Sequence, residues 1–266
     1  MFPVLLRFGS LGLRTFPLVF ALAVLVGGKL TAAEFRRRGL EPALADNLLM
    51  PVALLGLLGA RLLYVLVFDP AWYLSHPADL ATLWNGGLAF QGALLAGLAT
   101  ARWVSRRHRV PFWRFADGAV PGVALGQAIG ALGSFLNGSA YGIPTDLPWA
   151  VVFTDPRGQA PLGIPLHPTQ LYEALAALLL FTALWTVRTR LRRDGSLFLL
   201  YLAGVSALAF LDLLKGDALW IADVVLAGPV VSLLVLIGAA WLQVRHSPTA
   251  RSEPEARPEA RVGLPR

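Results

Sequence analysis

Leu166-His167-Pro168-Thr169-Gln170-Leu171-Tyr172-Glu173-Ala174 sets a group of polar side chains at the mouth of an apolar run that continues through Leu180 to Val187. From Pro168 that run is about 20 residues, enough to cross a hydrocarbon layer as a helix. Proline suits a first helical turn, where its missing N–H does no harm. His167 is then expected at the helix cap. Glu173 should lie about one and a half turns inside, on the side shared by Thr169 and Gln170 through the three- and four-residue spacing. A charged group inside a membrane helix costs about 2.5–3.5 kcal/mol on insertion scales, so Glu173 is expected to face a polar cavity or a partner.

Working outward, the whole chain has the composition of a membrane protein. Its 266 residues are 56% hydrophobic and 15% charged, with a mean hydropathy of +0.62, which leaves too little polar surface for a soluble domain of this size. Cysteine is absent, so disulfides, thiolate metal ligation and a cysteine nucleophile are excluded, and any thiol chemistry must use a substrate's thiol. The net charge of +7 is carried by short basic clusters between apolar runs, which is how membrane topology is written. Lacking a basic face interleaved with aromatics, the chain is not expected to bind nucleic acid. The four histidines are scattered without ligand spacing, so neither a metal nor another cofactor is expected.

The apolar runs give seven candidate spans: about Leu11–Ala33, Leu48–Phe68, Gly87–Val104, Phe115–Leu136, Pro168–Val187, Ser196–Leu214 and Leu219–Val244. The first is too long for a secretory signal and has no small-residue cleavage site before Glu34, so it reads as a retained span. Arg36-Arg37-Arg38, the arginines from Arg102 to Arg114, Arg188 to Arg193 and the basic tail follow spans one, three, five and seven. By the positive-inside rule those ends are cytoplasmic, which puts the amino terminus and the loop 137–167 outside. Trp72, Tyr73 and Trp84, between spans two and three, suit an interfacial belt. The expected architecture is an all-α integral membrane protein: a seven-span domain over 1–245, an ordered extracytoplasmic loop between spans four and five, and a disordered cytoplasmic tail over 246–266 whose Pro, Glu, Arg and Ser content cannot build a core.

The polar residues in or beside spans are few. Arg61 is too deep to snorkel easily, so it faces an inner cavity or a phosphate-bearing headgroup, or pairs with Glu173 or Asp212. Asp212 and Lys215 stand one turn apart and could satisfy each other. His167 either only caps its helix or lines a site. Gln91 is neutral and by itself says little.

At this point motifs carry a family resemblance. Gly142-Ile143-Pro144-Thr145-Asp146-Leu147-Pro148-Trp149-Ala150-Val151-Val152-Phe153, followed by His167-Pro168-Thr169-Gln170-Leu171-Tyr172-Glu173-Ala174, resembles the prolipoprotein diacylglyceryl transferases of bacterial inner membranes. Gly59-Ala60-Arg61-Leu62-Leu63-Tyr64, Trp84-Asn85-Gly86-Gly87-Leu88-Ala89-Phe90 and Phe135-Leu136-Asn137-Gly138 follow the family's order, so the likeness runs from about Phe8 to Leu242. It implies a multi-pass protein of the bacterial cytoplasmic membrane, amino terminus outside and carboxyl terminus in the cytoplasm. The implied activity is transfer of the diacylglyceryl group of phosphatidylglycerol to the cysteine thiol of a lipobox signal peptide, with release of glycerol phosphate. Its partners would be phosphatidylglycerol, prolipoprotein signal peptides and the surrounding membrane lipids. The chemistry needs a group to take the thiol proton and cations or donors to hold the leaving phosphate.

Several polar positions of the family's motifs differ here. Gln91 stands where the resemblance implies His, Ala131 for Arg, Ser134 for Asn, Ser139 for Glu, Phe16 for Tyr and Leu208 for Arg, while Asp212 is a shortened carboxylate. The enzyme reading therefore gives the proton to His167 or Glu173, with Gln91 beside them, and substrate binding to Arg61, Asn137, Gly138, Gly142, Gln170, Tyr172 and Asp212. A second reading is a catalytically degenerate paralogue that keeps the lipid cavity as a lipid-binding or accessory membrane protein. A transporter would call for internal repeats and paired broken helices, and the hydropathy has neither.

Overall fold

A computed structural model describes residues 2–8, 11–67, 70–81, 88–191 and 193–216, together with Leu234, Ile237 and Gly238. The molecule is mostly helical. After a hairpin of β1 (Val4–Phe8) and β2 (Leu11–Arg14) come α1 (Thr15–Arg37), α2 (Ala43–Val67), a short α3 (Pro70–Ser75) and a 3-10 turn (Pro77–Ala81). Then follow α4 (Phe90–Arg107), α5 (Phe112–Asn137), α6 (Thr169–Val187) and α7 (Ser196–Leu208), which tightens into a 3-10 turn over Ala209–Leu214. Two-residue strands β3 (Val151–Val152) and β4 (Pro165–Leu166) lie in the α5–α6 connection.

Four helices, α1, α2, α5 and α6, are long and apolar enough to cross a membrane. At 18 residues α4 carries Arg102, Arg106 and Arg107. The α-helical part of α7 is shorter than the expected sixth span. The expected seventh span, about 219–244, and the tail fall outside the described residues apart from the three named above. The first span also starts later than expected. Leu11–Arg14 pairs antiparallel with Val4–Phe8, with Phe8 opposite Leu11 and Leu6 opposite Leu13. Those residues therefore satisfy their backbone groups in a ladder, and the helix begins at Thr15, whose N–H bonds to the Pro3 carbonyl at 3.0 Å.

Helix packing follows the small residues. The most extensive contacts are α1 on α5, α2 on α4 and α5 on α6. Gly27 and Gly122 meet backbone to backbone at the first crossing, where a Cβ on Gly27 would lie 2.7 Å from the Gly122 carbonyl oxygen. Gly59 and Gly92 do the same at the second, with a Cβ on Gly59 again 2.7 Å from the facing carbonyl. Between membrane helices, where lipid is as apolar as leucine, such close approach supplies the dispersion contact that drives association. A separate apolar core forms where Ala116, Val120 and Ala124 of α5 and Leu184 of α6 meet Leu197, Tyr201 and Leu202 of α7.

One end of the bundle is tied by buried charge. Asp117 in α5 accepts hydrogen bonds from the Gly195 and Phe198 N–H groups at the start of α7, at 3.0 and 2.8 Å, and pairs with Arg38 at 3.3 Å. It thus satisfies orphan amides of a helix that has no side-chain cap of its own. Beside it, buried Glu34 of α1 binds Arg37 at 2.6 Å and Arg188, just past α6, at 3.0 Å. The basic ends of α1 and α6 and the start of α7 are therefore gathered with the first turns of α5 into one ionic cluster.

Candidate functional site

At the opposite end of α5 and α6 the chain builds a small sheet from pieces distant in sequence. Gly138 ends α5 in the left-handed region, at φ 73°, and the Ser139 N–H reaches back to the Ser134 carbonyl at 3.1 Å. This is the glycine-favoured way of closing a helix. The segment after it runs beside the α6 lead-in: Gly142 N–H bonds to His167 O, and His167 N–H to Ile143 O, both at 3.0 Å. On its other edge lies the segment after α7, with Ile143 N–H bonded to Leu214 O and Gly216 N–H to Tyr141 O, both at 2.8 Å. Gly142 is fixed in kind by this crossing, because a Cβ there would sit 2.5 Å from both Cβ and O of His167. β3 pairs with β4 beyond, and Phe153, Ala160 and Leu166 close a small core under Phe135 and Tyr141.

On this platform sit most of the expected site residues. Thr169 and Gln170 are fully buried and act on backbone: Thr169 Oγ1 donates to Ala140 O at 2.6 Å and Gln170 Nε2 to Ser139 O at 2.7 Å. Gln170 is thus a clasp on the segment after Gly138, while its Oε1 is buried with no hydrogen-bond partner among the described residues. Asn137 is buried at the last turn of α5, where its carbonyl accepts the Gln159 N–H at 3.3 Å. Tyr172 Oη accepts from Trp149 Nε1 at 2.7 Å and lies 3.3 Å from His167 Nδ1. Glu173 Oε1 is 2.6 Å from Lys215 Nζ.

One expectation changes. The α6 cap is Pro168, not His167. Proline has fixed φ and no N–H to give, and the His167 ring turns to Tyr172. Lys215, bridged through its backbone to Gly142, reaches Glu173. Only a three-dimensional pairing of 141–143 with 214–216 could have signalled Lys215 as a site residue. The Asp212 side chain lies outside the described residues.

Arg61 belongs to a second group, on α2. It is buried, donates from Nη2 to Asp79 O at 2.6 Å and from Nε to Leu80 O at 3.3 Å, and lies over the Tyr73 ring at 5.0 Å. Of the two carboxylates weighed as its partner, Glu173 pairs with Lys215, and the Asp212 side chain is outside the described residues. Gly59, two residues earlier, presses against Gly92 of α4, and the Ala89 N–H bonds to Ala60 O at 3.0 Å. The first turn of α4, with Gln91 in it, is thereby docked beside the Arg61 turn. The Gln91 side chain lies outside the described residues. Among the described residues no group of three or more His, Cys, Asp or Glu could hold a metal. In the α5–α6 connection the Arg157 guanidinium, hydrogen-bonded to Asp155, holds that carboxyl down at about 2.

Known proteins are similar to this chain over almost its whole length. The family model described as prolipoprotein diacylglyceryl transferase matches residues 3–245. The chain belongs to that family. A protein of Trichormus variabilis named phosphatidylglycerol–prolipoprotein diacylglyceryl transferase is 37% identical over 260 residues, covering 92% of this chain and 91% of its own. Relatives of the same name in Parasynechococcus marenigrum and Geobacter sulfurreducens are 40% identical over 214 residues and 36% over 212. They cover 77% and 79% of this chain, and 76% and 80% of their own.

The structure places the positions at which the resemblance implies another residue type. Ala131 is buried in α5, Ser134 lies one turn before Asn137, and Ser139 gives its carbonyl to Gln170. Phe16 of α1 is 3.6 Å from where a Cβ on Gly133 would stand. Leu208 closes α7. The turn that carries Asn137, Gly138 and Gly142 lies on the same platform as the Glu173–Lys215 pair.

Proposed function

We propose that this chain transfers the diacylglyceryl group of phosphatidylglycerol to the lipobox cysteine thiol of prolipoproteins. It would work as a seven-span protein of the bacterial inner membrane, with its amino terminus and the 137–167 loop outside and residues 246–266 as a cytoplasmic tail. The observation that carries the reading is family membership over residues 3–245. The thiolate sulfur bonds to the glyceryl carbon that bears the phosphodiester oxygen. That C–O bond breaks, its electron pair leaves on the phosphate, and glycerol phosphate is released. The thiol proton goes to a protein base.

Of the two candidate bases His167 is the better matched. Histidine as a residue type exchanges protons near neutrality, while Glu173 is engaged with Lys215 at 2.6 Å. A thiol of ordinary pKa about 8.5 needs such a base or a cationic surrounding. Tyr172 orients the imidazole through its hydroxyl, 3.3 Å away. Arg61, Asn137, Gln91 and Asp212 are the proposed contacts of the lipid headgroup, Lys215 adds a cation that the family motifs did not suggest, and Gln170, Gly138 and Gly142 shape the backbone around them.

Gln91, Ala131, Ser134 and Ser139 favour one other reading, a lipid-binding accessory protein on the same scaffold, because a positioned donor is worth several kcal/mol in a transition state. The deciding experiment incubates purified protein with phosphatidylglycerol and a lipobox peptide, beside Arg61→Ala and His167→Ala. A thioether-linked peptide that disappears in the variants supports the transferase. Retained phosphatidylglycerol with no product supports the accessory protein.

A further inference from the structure

Away from this site, at the junction of α4 and α5, lies a groove of about 950 Å³ lined by Arg102, Arg106 and Arg109 together with Leu98, Phe112 and Trp113. Arg102 lies 5.8 Å over the Phe112 ring. Among the described residues none of the three arginines is within ion-pair distance of a carboxylate. Like charges one helical turn apart repel, so an arrangement of this kind is at its most stable when an anion shares it.

A second, independent observation lies in the backbone. Arg109 adopts φ 56°, with its N–H on Arg106 O at 3.1 Å and the Val110 N–H on Ser105 O at 2.9 Å. This is the left-handed helix stop that glycine adopts freely and a long side chain does not. An arginine at such a position gives up local stability and brings a third guanidinium into the groove.

We infer that the groove is a binding site for an anionic glycerophospholipid, its phosphodiester held by Arg102, Arg106 and Arg109 and its acyl chains laid on Leu98, Phe112 and Trp113. Guanidinium groups bind phosphate oxygens in a bidentate way, and basic pockets between membrane helices on the cytoplasmic side take such headgroups. A free phosphate would leave the apolar floor uncovered. The inference rests on the membrane-spanning reading of α5 but not on the transfer reaction, since the groove and the Glu173–Lys215 platform lie at opposite ends of that helix.

The test uses the full-length protein in detergent, with tetraoleoyl cardiolipin as the anionic probe, phosphatidylcholine as the neutral one and inorganic phosphate as competitor, read by native mass spectrometry. Each lost arginine should weaken cardiolipin binding roughly fivefold. The combined Arg102→Gln, Arg106→Gln, Arg109→Gln variant should therefore lose on the order of a hundredfold. A control that removes equal charge elsewhere, Arg36→Gln, Arg190→Gln, Arg193→Gln, should change it less than about threefold, because surface charge outside the groove is screened. Arg109→Gly should weaken cardiolipin binding while raising the melting temperature, a pair of opposite effects that a purely structural arginine would not give. Equal losses in both triple variants, undiminished binding by the groove variant, or displacement of cardiolipin by millimolar inorganic phosphate would each overturn the inference. Peptide lipidation by the groove variant reports on the proposed reaction separately, and its presence or absence leaves the binding result unchanged.

Discussion

Lys215 Nζ stands 2.6 Å from Glu173 Oε1, so that the segment after α7, paired through its backbone with 141–143, is also tied by charge to the second turn of α6. Both side chains are about one quarter exposed, at 23% and 24%, which places the pair between a surface and a buried ion pair. A double-mutant cycle with Glu173→Gln and Lys215→Met should give a coupling of about 1 kcal/mol in thermal unfolding. Additivity of the two single variants would mean that the pair contributes nothing to holding the platform together.

Arg61→Ala removes a guanidinium that ties α2 to the Asp79 and Leu80 carbonyls and covers Tyr73. Hydrogen bonds to a charged group are worth about 1.5–3 kcal/mol. The variant should show faster amide exchange across 70–81 and a transfer rate at least roughly tenfold lower. Arg61→Lys should restore little, since an ammonium has neither the fork nor the flat face. Both Arg61→Ala and Glu173→Ala are expected to lose more than Asp212→Asn. An Asp212→Asn protein as impaired as either would move the centre of the site toward the end of α7.

Asp117→Ala should be among the most damaging single changes in the chain. It strips an acceptor from two α7 amides and leaves Arg38, mostly buried, without its nearest carboxylate. Breaking one side of a buried pair costs about 3–5 kcal/mol, readable as a lowered unfolding midpoint in detergent. Asp117→Asn keeps one acceptor oxygen and should fall in between. A melting curve indistinguishable from the parent protein would refute a structural role for this carboxylate.

Gly92→Ala forces a methyl group against the Gly59 backbone and the Leu63 Cβ. Overpacking of this kind costs about 1–3 kcal/mol, and here it also pushes the first turn of α4, with Gln91, off the Arg61 turn. Gly97→Ala, five residues along the same helix and facing open space, is the control and should be neutral. If the two variants behave alike in stability and transfer, the α2–α4 crossing is not what sets the position of Arg61.

How much of this was legible in the sequence depends on the kind of signal. Apolar length located α2, α5 and α6 to within a few residues, because hydrocarbon thickness is a constraint each helix meets on its own. The start of α1 was misplaced because Leu11-Gly12-Leu13-Arg14 is apolar enough to join a helix and becomes a strand only when Val4–Phe8 is beside it. Among the site residues, the His167–Glu173 cluster was visible as polarity where polarity is expensive. Its internal logic was not. Thr169 and Gln170 proved to be clasps on the Ser139–Ala140 backbone, and Lys215 found Glu173 through a strand bridge that no spacing rule encodes. Asn137, Gly138 and Gly142, which the family motifs pointed to, have backbone roles that motif residues alone do not describe.

The pairing of 141–143 with 214–216 also bears on the order in which the molecule is made. Chains emerge amino terminus first and fold as they come, so Gly142, His167 and Glu173 are in place well before Lys215 leaves the ribosome. Until α7 has inserted, one edge of the small sheet is an open template of unpaired amides and carbonyls, and Glu173 lacks its lysine. A nascent chain halted before residue 214 would therefore hold its main helices and an unfinished site. Residues 214–216 act as the closing stitch, so that the platform is completed only after α7 has been made.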